Sequence, residues 1–420
     1  MTNNQSQFSS QGRPTSGWKQ TETPLRQDYE GQVGLIPEGW DVLRLDEVLD
    51  FDPSRPIKKG DEVKFIAMTD IDTFDRKIKT HSKRNFDGGS KFKNGDTLMA
   101  RITPCLENGK TAYCDILDDH EVAGGSTEFI VLSGKENVSD SKFVYYLSTS
   151  PEIRNIAIQA MVGSSGRQRV QADKLKSHLI SFPPIKEQQK IAEILGAVDE
   201  KIELNRKMNK TLEQIGQAIF KRWFVDLEET PKGWEESNLD KIANFLNGLA
   251  LQKHPPENEV NSLPVIKIKE LKSGVSESSD KASSNIPEEY IVNDGDVLFS
   301  WSGSLEVVLW SGGKGALNQH LFKITSKSYP KWFYYYWTKY YLEEFQTIAA
   351  GKATTMGHIQ RRHLSEAEVL IPDKSIMDKL DSVMTPVTDL IINNSVENET
   401  LSQIRDSLLP RLMSGKLRVG

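Results

Sequence analysis

Cysteine is almost missing from the 420 residues, with only Cys105 and Cys114 present. They lie too far apart for a CxxC pair and have no histidine cluster nearby, so a disulfide framework and a structural zinc site are both excluded. No apolar run reaches the roughly 18 residues of a membrane-spanning helix. The Gln/Ser/Thr-rich start has no apolar core of the kind a secretion signal needs, so the expectation is a cytoplasmic chain with no membrane partner. A strong excess of charge is absent too: the formal net charge is -6, which argues against a strongly basic, stand-alone nucleic-acid binder. The hydrophobic content of 37% still allows sizeable cores, and the length suggests two or three domains.

Catalytic signatures are also lacking. Gly109-Lys110-Thr111 ends like a phosphate-binding loop, but the first glycine of that pattern would fall at Pro104. Phe182-Pro183-Pro184-Ile185 is faintly similar to the catalytic tetrapeptide of amino-methyltransferases, yet it lacks the polar residue that would hold an amino group and the aromatic that would stack on a base. Glu62-Val63-Lys64 and Glu270-Leu271-Lys272 match half of a metal-dependent nuclease signature, with no Pro-Asp pair a short way upstream. The seven histidines show no ligand spacing such as H-E-x-x-H. No catalytic, cofactor-binding or metal-binding residue is assigned to this chain.

What the sequence does contain is a duplication. Ile191, Leu195, Val198, Ile202, Asn205, Asn209, Leu212, Ile215 and Ile219 recur in steps of three and four, the seam of a coiled coil. Adding 189 to each number gives Leu380, Met384, Val387, Ile391, Asn394, Asn398, Leu401, Ile404 and Leu408. Apolar positions fall on apolar ones and both asparagines on asparagines, so the two helices are expected to pair, with Asn205, Asn209, Asn394 and Asn398 fixing their register. Short connections suggest that they run antiparallel. Pro386, where the first helix has Ala197, is a candidate kink.

The halves repeat elsewhere as well. Ile36-Pro37-Glu38-Gly39-Trp40 is answered by Thr230-Pro231-Lys232-Gly233-Trp234. A turn and strand at Asn94–Arg101 is answered at Asp294–Trp301, strands near 128–132 and 320–324 follow, and amphipathic helices are expected over 141–161 and 330–350. Short strands at 179–183 and 369–372 then lead into the long helices. The expected fold is α/β: two globular α/β domains joined by two long antiparallel helices in a coiled coil, with a pseudo-twofold internal repeat. The divisions are a polar, flexible tail over 1–34, a first domain over 35–184, a central helix over 185–226, a second domain over 227–372 and a C-terminal helix over 373–420.

Each amphipathic helix runs into a small, basic loop. Residues 151–180 hold Arg154, Arg167, Arg169, Lys174 and Lys176 against Glu152 and Asp173, and residues 347–364 hold Lys352, Arg361 and Arg362 with no acid. Such loops suit a DNA groove, since Arg can pair with guanine, Gln with adenine, and Ser, Thr or Lys with phosphate. A further basic cluster, Lys83, Arg84, Lys91, Lys93, Arg101 and Lys110, lies in the first domain. The candidate DNA-binding residues are Arg101, Lys110, Ser164, Ser165, Arg167, Gln168 and Arg169 in the first half, and Ser302, Lys352, Thr354, Thr355 and His358 in the second. The candidate helix-pairing residues are Leu195, Ile202, Asn205, Asn209 and Leu212 with Ile391, Asn394, Asn398 and Leu401.

Gly95-Asp96-Thr97-Leu98-Met99-Ala100-Arg101, Pro184-Ile185-Lys186-Glu187-Gln188-Gln189-Lys190-Ile191-Ala192, the paired Gly-Trp starts and the ending Leu408-Leu409-Pro410-Arg411-Leu412-Met413-Ser414-Gly415-Lys416-Leu417 together resemble the specificity subunits of type I restriction-modification systems. The resemblance runs from Ile36 to Val419. It implies a non-catalytic chain whose two domains each read half of a split, asymmetric site in double-stranded DNA. It also implies two modification subunits docked on the helices and carrying S-adenosylmethionine, and restriction subunits that use ATP and Mg. Ser300-Trp301 departs from the Ala100-Arg101 of the first half, so the resemblance gives Trp301 no base contact. Two other readings are a stand-alone DNA-modifying enzyme, opposed by the missing cofactor loop, and a structural coiled-coil adaptor, which leaves the paired basic loops unexplained.

Overall fold

The computed structural model describes residues 36–164, 166–351 and 357–419, together with the backbone of Trp18–Lys19. That two-residue strand pairs antiparallel with Ile36–Pro37, and the rest of the expected tail lies outside the described residues. The chain forms two compact units, residues 1–200 with 403–420 and residues 201–402. Neither follows a simple cut in the sequence, because each takes a segment of both long helices.

The first unit holds two four-stranded sheets. One is ordered 82–85, 62–66, 123–125, 90–92 and the other 49–51, 129–134, 97–100, 111–113. The second unit repeats both orders, as 281–283, 262–266, 315–317, 291–292 and 244–247, 321–325, 297–300, 307–309. In each unit the first sheet contains one parallel pair, 62–66 with 123–125 and 262–266 with 315–317, among otherwise antiparallel neighbours. The turn before the central strand shows why the pattern recurs. Gly95 and Gly295 take positive φ of 91° and 85°, which only glycine adopts without strain. The next residue, Asp96 or Asp296, accepts from the backbone N–H three residues earlier and is held by a cation, Arg55 in one unit and Lys323 in the other.

The expected helix over 141–161 is two helices, Ser141–Thr149 and Pro151–Gln159. Pro151 forces Ser150 into extended backbone (φ −61°, ψ 147°), and the Ser150 hydroxyl then caps the second helix at the Ile153 N–H. Met161–Val162 is a strand rather than the helix end. In the second unit the corresponding helices are Lys331–Tyr340 and Leu342–Ala350, broken at Tyr341 without a proline.

The long helices are Ile185–Phe220, closed by a π-helical turn over Lys221–Val225, and Lys374–Met413, which continues through Pro386. Within the second unit they run antiparallel: Asn205 Nδ2 donates to Asn398 Oδ1 (3.0 Å) and Glu397 Oε2 (2.8 Å), and Asn394 Nδ2 donates to Asn209 Oδ1 (2.9 Å). Asn209 Nδ2 also reaches the Ile391 carbonyl and the Ser395 hydroxyl. Each asparagine therefore meets the repeat-equivalent of the other, which is the self-complementary pattern of a twofold interface.

The seam does not run the whole length as a helix pair. Ile215 and Ile404, equivalent in the repeat, are each 43% exposed. On either side of the asparagine layer the apolar residues of both helices pack together with the domains rather than only with each other. Ile191 and Leu195 join Leu409 and Leu412 in the first core, and their equivalents Leu380 and Met384 join Phe220 and Phe224 in the second. The family-like motifs are docking devices of the same kind. Glu187 accepts from Trp40 Nε1 (2.9 Å) and pairs with Arg418, while fully buried Gln188 donates to the Val138 and Pro183 carbonyls. No helix among the described residues is long and apolar enough to cross a membrane.

Candidate nucleic-acid interface

In both units the chain leaving the central strand is stitched to the basic loop in one register. In the first, Arg101 N donates to the Glu128 carbonyl (2.9 Å), Val170 N to the Arg101 carbonyl (2.9 Å) and Thr103 N to the Gln168 carbonyl (3.0 Å). In the second, Trp301 N donates to the His320 carbonyl (3.3 Å), Ile359 N to the Trp301 carbonyl (3.0 Å) and Gly303 N to the Gly357 carbonyl (2.8 Å). Positions 101, 128 and 169 thus answer to 301, 320 and 358, and the isolated bridges Ile102–Arg169 and Ser302–His358 complete the match.

The first loop closes a short ribbon in which Met161–Val162 pairs with Arg169–Val170. Gly163 and Gly166 have positive φ, and Arg167 N donates to the Ser164 carbonyl, so a tight turn presents this segment. Ser164 and Arg167 are exposed and Gln168 half-buried. Arg169 grips Glu128 through Nε and Nη2 at 2.6–3.0 Å. That hydrogen-bonded pairing, with further help from Arg101, holds the Glu128 carboxyl below the usual carboxylate range despite partial burial. Arg101 is half-buried, its Nη2 3.4 Å from the Val170 carbonyl, and it borders a cleft shared with Arg55, Lys91 and Thr127. Lys110 is turned inward, its ammonium 2.8 Å from the Met68 carbonyl. Other cations of the first-domain cluster are engaged as well: Lys91 donates to the Ile57 carbonyl and Arg84 lies over the Phe65 ring.

The second unit places different chemistry on the same frame. Trp301 Nε1 donates to Asn247 Oδ1 (2.8 Å), and its ring lies 5.8 Å from His320 and 6.3 Å from His358. Ser302 is buried, its hydroxyl 3.0 Å from His320 Nδ1. His358 is half-buried. Ser165, Lys352, Thr354 and Thr355 lie outside the described residues. Sequence reasoning missed Glu128, His320 and Asn247. Strand pairing across the sheet brings each of them to the strand exit; the alignment of strands 128–132 and 320–324 in the repeat was a signal for Glu128 and His320, and none pointed to Asn247. No group of three or more His, Cys, Asp or Glu side chains among the described residues is placed to hold a metal ion.

A mixed-sheet domain present twice, each time with the chain leaving its central strand stitched to a polar loop, defines a tandem-domain chain of the nucleic-acid-recognition class. The family profile described as "Type I restriction modification DNA specificity domain" matches residues 37–214 and again 231–400, so the chain belongs to that family and carries its domain twice. It is 26% identical over 93% of its length to the type I restriction enzyme MjaIX specificity subunit of Methanocaldococcus jannaschii, covering 96% of that protein. It is 25% identical to the HindI specificity subunit of Haemophilus influenzae over 78% of this chain and 87% of that one. In fold it is similar to the crystal structure of the type I restriction-modification S subunit from M. genitalium, with a TM-score of 0.52 and 16% identity, covering 89% of this chain and 96% of that one.

Proposed function

We propose that each globular domain reads one half of a bipartite, asymmetric DNA site and that the paired helices carry the partner subunits. The chain is a type I restriction-modification specificity subunit, a DNA-recognition chain and not an enzyme. The observation that carries the two-half reading is the shared strand-exit frame holding unlike side chains, Arg101, Glu128 and Arg169 in one unit and Trp301, His320 and His358 in the other. One scaffold with two sets of contacts supports two different half-sites. Methylation with S-adenosylmethionine and cleavage driven by ATP and Mg then belong to the modification and restriction partners, in a cytoplasmic complex.

The half-sites are expected to fail separately. Arg167→Ala or Gln168→Ala relaxes one half, and Thr354→Ala or His358→Ala the other, each lost base contact costing about 1–3 kcal/mol. Selection of bound duplexes from a random library by the assembled complex measures this. Weakening toward every sequence alike, with a reduced salt slope, would place these residues on phosphates instead.

Two copies of one modification partner fit the surface of the helices. Ile194 and Ile404 are exposed in the first unit, and their repeat-equivalents Val383 and Ile215 are exposed in the second. Large apolar side chains left in water at matched positions suit one partner surface used twice. Ile194→Glu with Ile404→Glu is expected to lower the number of bound modification subunits from two to one. Native mass spectrometry of the complex counts them, and an unchanged stoichiometry would remove these residues from the docking surface.

A further inference from the structure

We infer that positions 101, 128 and 169, and their equivalents 301, 320 and 358, are the specificity-determining triads of the two domains, and that the first favours a G·C pair and the second an A·T pair. This rests on the reading of each domain as a half-site reader, and it assigns a base class to each. Matching backbone bonds hold the three positions together in both units, so the frame is common and the side chains carry the difference.

In the first unit the triad is ionic. Arg169 uses Nε and Nη2 on Glu128, which leaves the Nη1 edge outside those bonds, and the Arg169 side chain is half exposed. A guanidinium edge donates to guanine O6 and N7, and a carboxylate accepts from the cytosine N4 amino group of the same pair. Against an A·T pair the same ions would be pressed on the thymine methyl and lose water without compensation. The Arg–Glu contact fixes the side chains in advance, which lowers the ordering cost of a base contact.

In the second triad the polar atoms of Trp301 and His320 are engaged within the protein. Trp301 Nε1 is taken by Asn247, and His320 has the Ser302 hydroxyl at Nδ1 and the Gln319 amide 3.4 Å from Nε2. Trp301 and His320 are left with mostly ring carbon for a ligand, in a half-buried cluster where Trp301 also lies 6.0 Å from Phe322 and 6.3 Å from the His358 ring. An apolar edge of this kind complements the thymine methyl, the one apolar group on the major-groove edge of a base pair. Trp301 therefore takes part in reading, in a position where the arginine of the first half gave no guide.

The test is site selection from a random duplex library by the full chain assembled with its modification partners. Arg169→Ala and Glu128→Ala are expected to relax one G·C position in one half-site by about 5- to 150-fold, the range of a single bidentate contact, with the other half-site unchanged. His358→Ala is expected to relax an A·T position in the other half-site only. Trp301→Arg, His320→Glu and His358→Arg together are expected to turn that position to G·C. A melting temperature equal to the unsubstituted chain qualifies each variant, and if the triple variant does not fold, His358→Arg alone decides through the same shift. Unchanged selected sites, uniform loss toward all sequences, or an A·T pair at the position governed by Arg169 would overturn the inference. An unsubstituted complex that selects no sequence would instead overturn the half-site reading beneath it.

Discussion

Arg405→Ala destabilises the first unit by about 3–5 kcal/mol, the usual effect of removing one partner from a buried ion pair. Asp199 is 4% exposed, accepts from the Tyr146 hydroxyl at 2.7 Å and from Arg405 Nη1 at 3.0 Å, and the Arg405 side chain is itself only 17% exposed. Without the guanidinium a carboxylate remains enclosed, with one hydroxyl to stabilise it. Asp199→Ala with Arg405→Ala is therefore expected to be more stable than Arg405→Ala alone, because the double variant strands no charge. Urea unfolding followed by a probe in the first unit measures both. Equal stability of the single variant and the unsubstituted chain would show that the pair contributes nothing, as many exposed ion pairs do.

The same pair governs what a half-length chain does. A fragment ending near Asp226 keeps the central helix, whose Asn205 and Asn209 can pair with their own copies as they pair with Asn398 and Asn394 here. In such a twofold dimer the partner's Gly216 stands where Arg405 stands in the full chain, since the two are repeat-equivalent. Asp199 then faces a glycine on both sides of the dimer axis. The second unit shows the arrangement that glycine belongs to: Gly216 lies under Tyr336, and a Cβ there would stand 2.0 Å from the Tyr336 hydroxyl, while Thr388 replaces Asp199. The unsubstituted fragment should therefore dimerise weakly. Gly216→Arg in the fragment restores both ion pairs and is expected to tighten the dimer by about 100-fold or more, taking each recovered pair as at least a factor of ten. In the full chain the same change drives a side chain into Tyr336 and lowers stability by about 1–3 kcal/mol or more. Sedimentation of the fragment and unfolding of the full chain give the two readings. A Gly216→Arg fragment no tighter than its parent would show that Asp199 is not what opposes self-pairing. With the modification partner present, the tightened dimer should select an inverted repeat of the first half-site, because a twofold dimer presents two inverted copies of one domain.

The duplication, the antiparallel helix pairing and the place of the first loop between its helix and strand were legible in the sequence, while residues 352–356 of the second loop lie outside the described residues. Periodicity and composition are local properties, and a repeat supplies two independent copies of each. The asparagine layer could be read for the same reason: polar residues at two consecutive seam positions, twice, leave few ways to satisfy them except against one another. Inside the loops legibility ended sooner. Lys110 and Ser302 stood in basic or strand-end segments, but tertiary contacts turned the Lys110 ammonium to the Met68 carbonyl and buried Ser302 against His320. The apolar stripe likewise could not say which of its residues pack into the domain cores and which stay at the surface, so Ile215 and Ile404 read as seam yet are largely exposed. Glu128, His320, Asp199 and Arg405 become parts of sites only when strands and helices distant in sequence are brought together. The sequence by itself determined that the chain is a tandem of two alike units on paired helices, because spacing and periodicity are written along the chain. The tertiary structure alone decided which ions and rings meet at each strand exit and which helix end fits which domain, because these depend on cross-strand partners and packing that spacing does not encode.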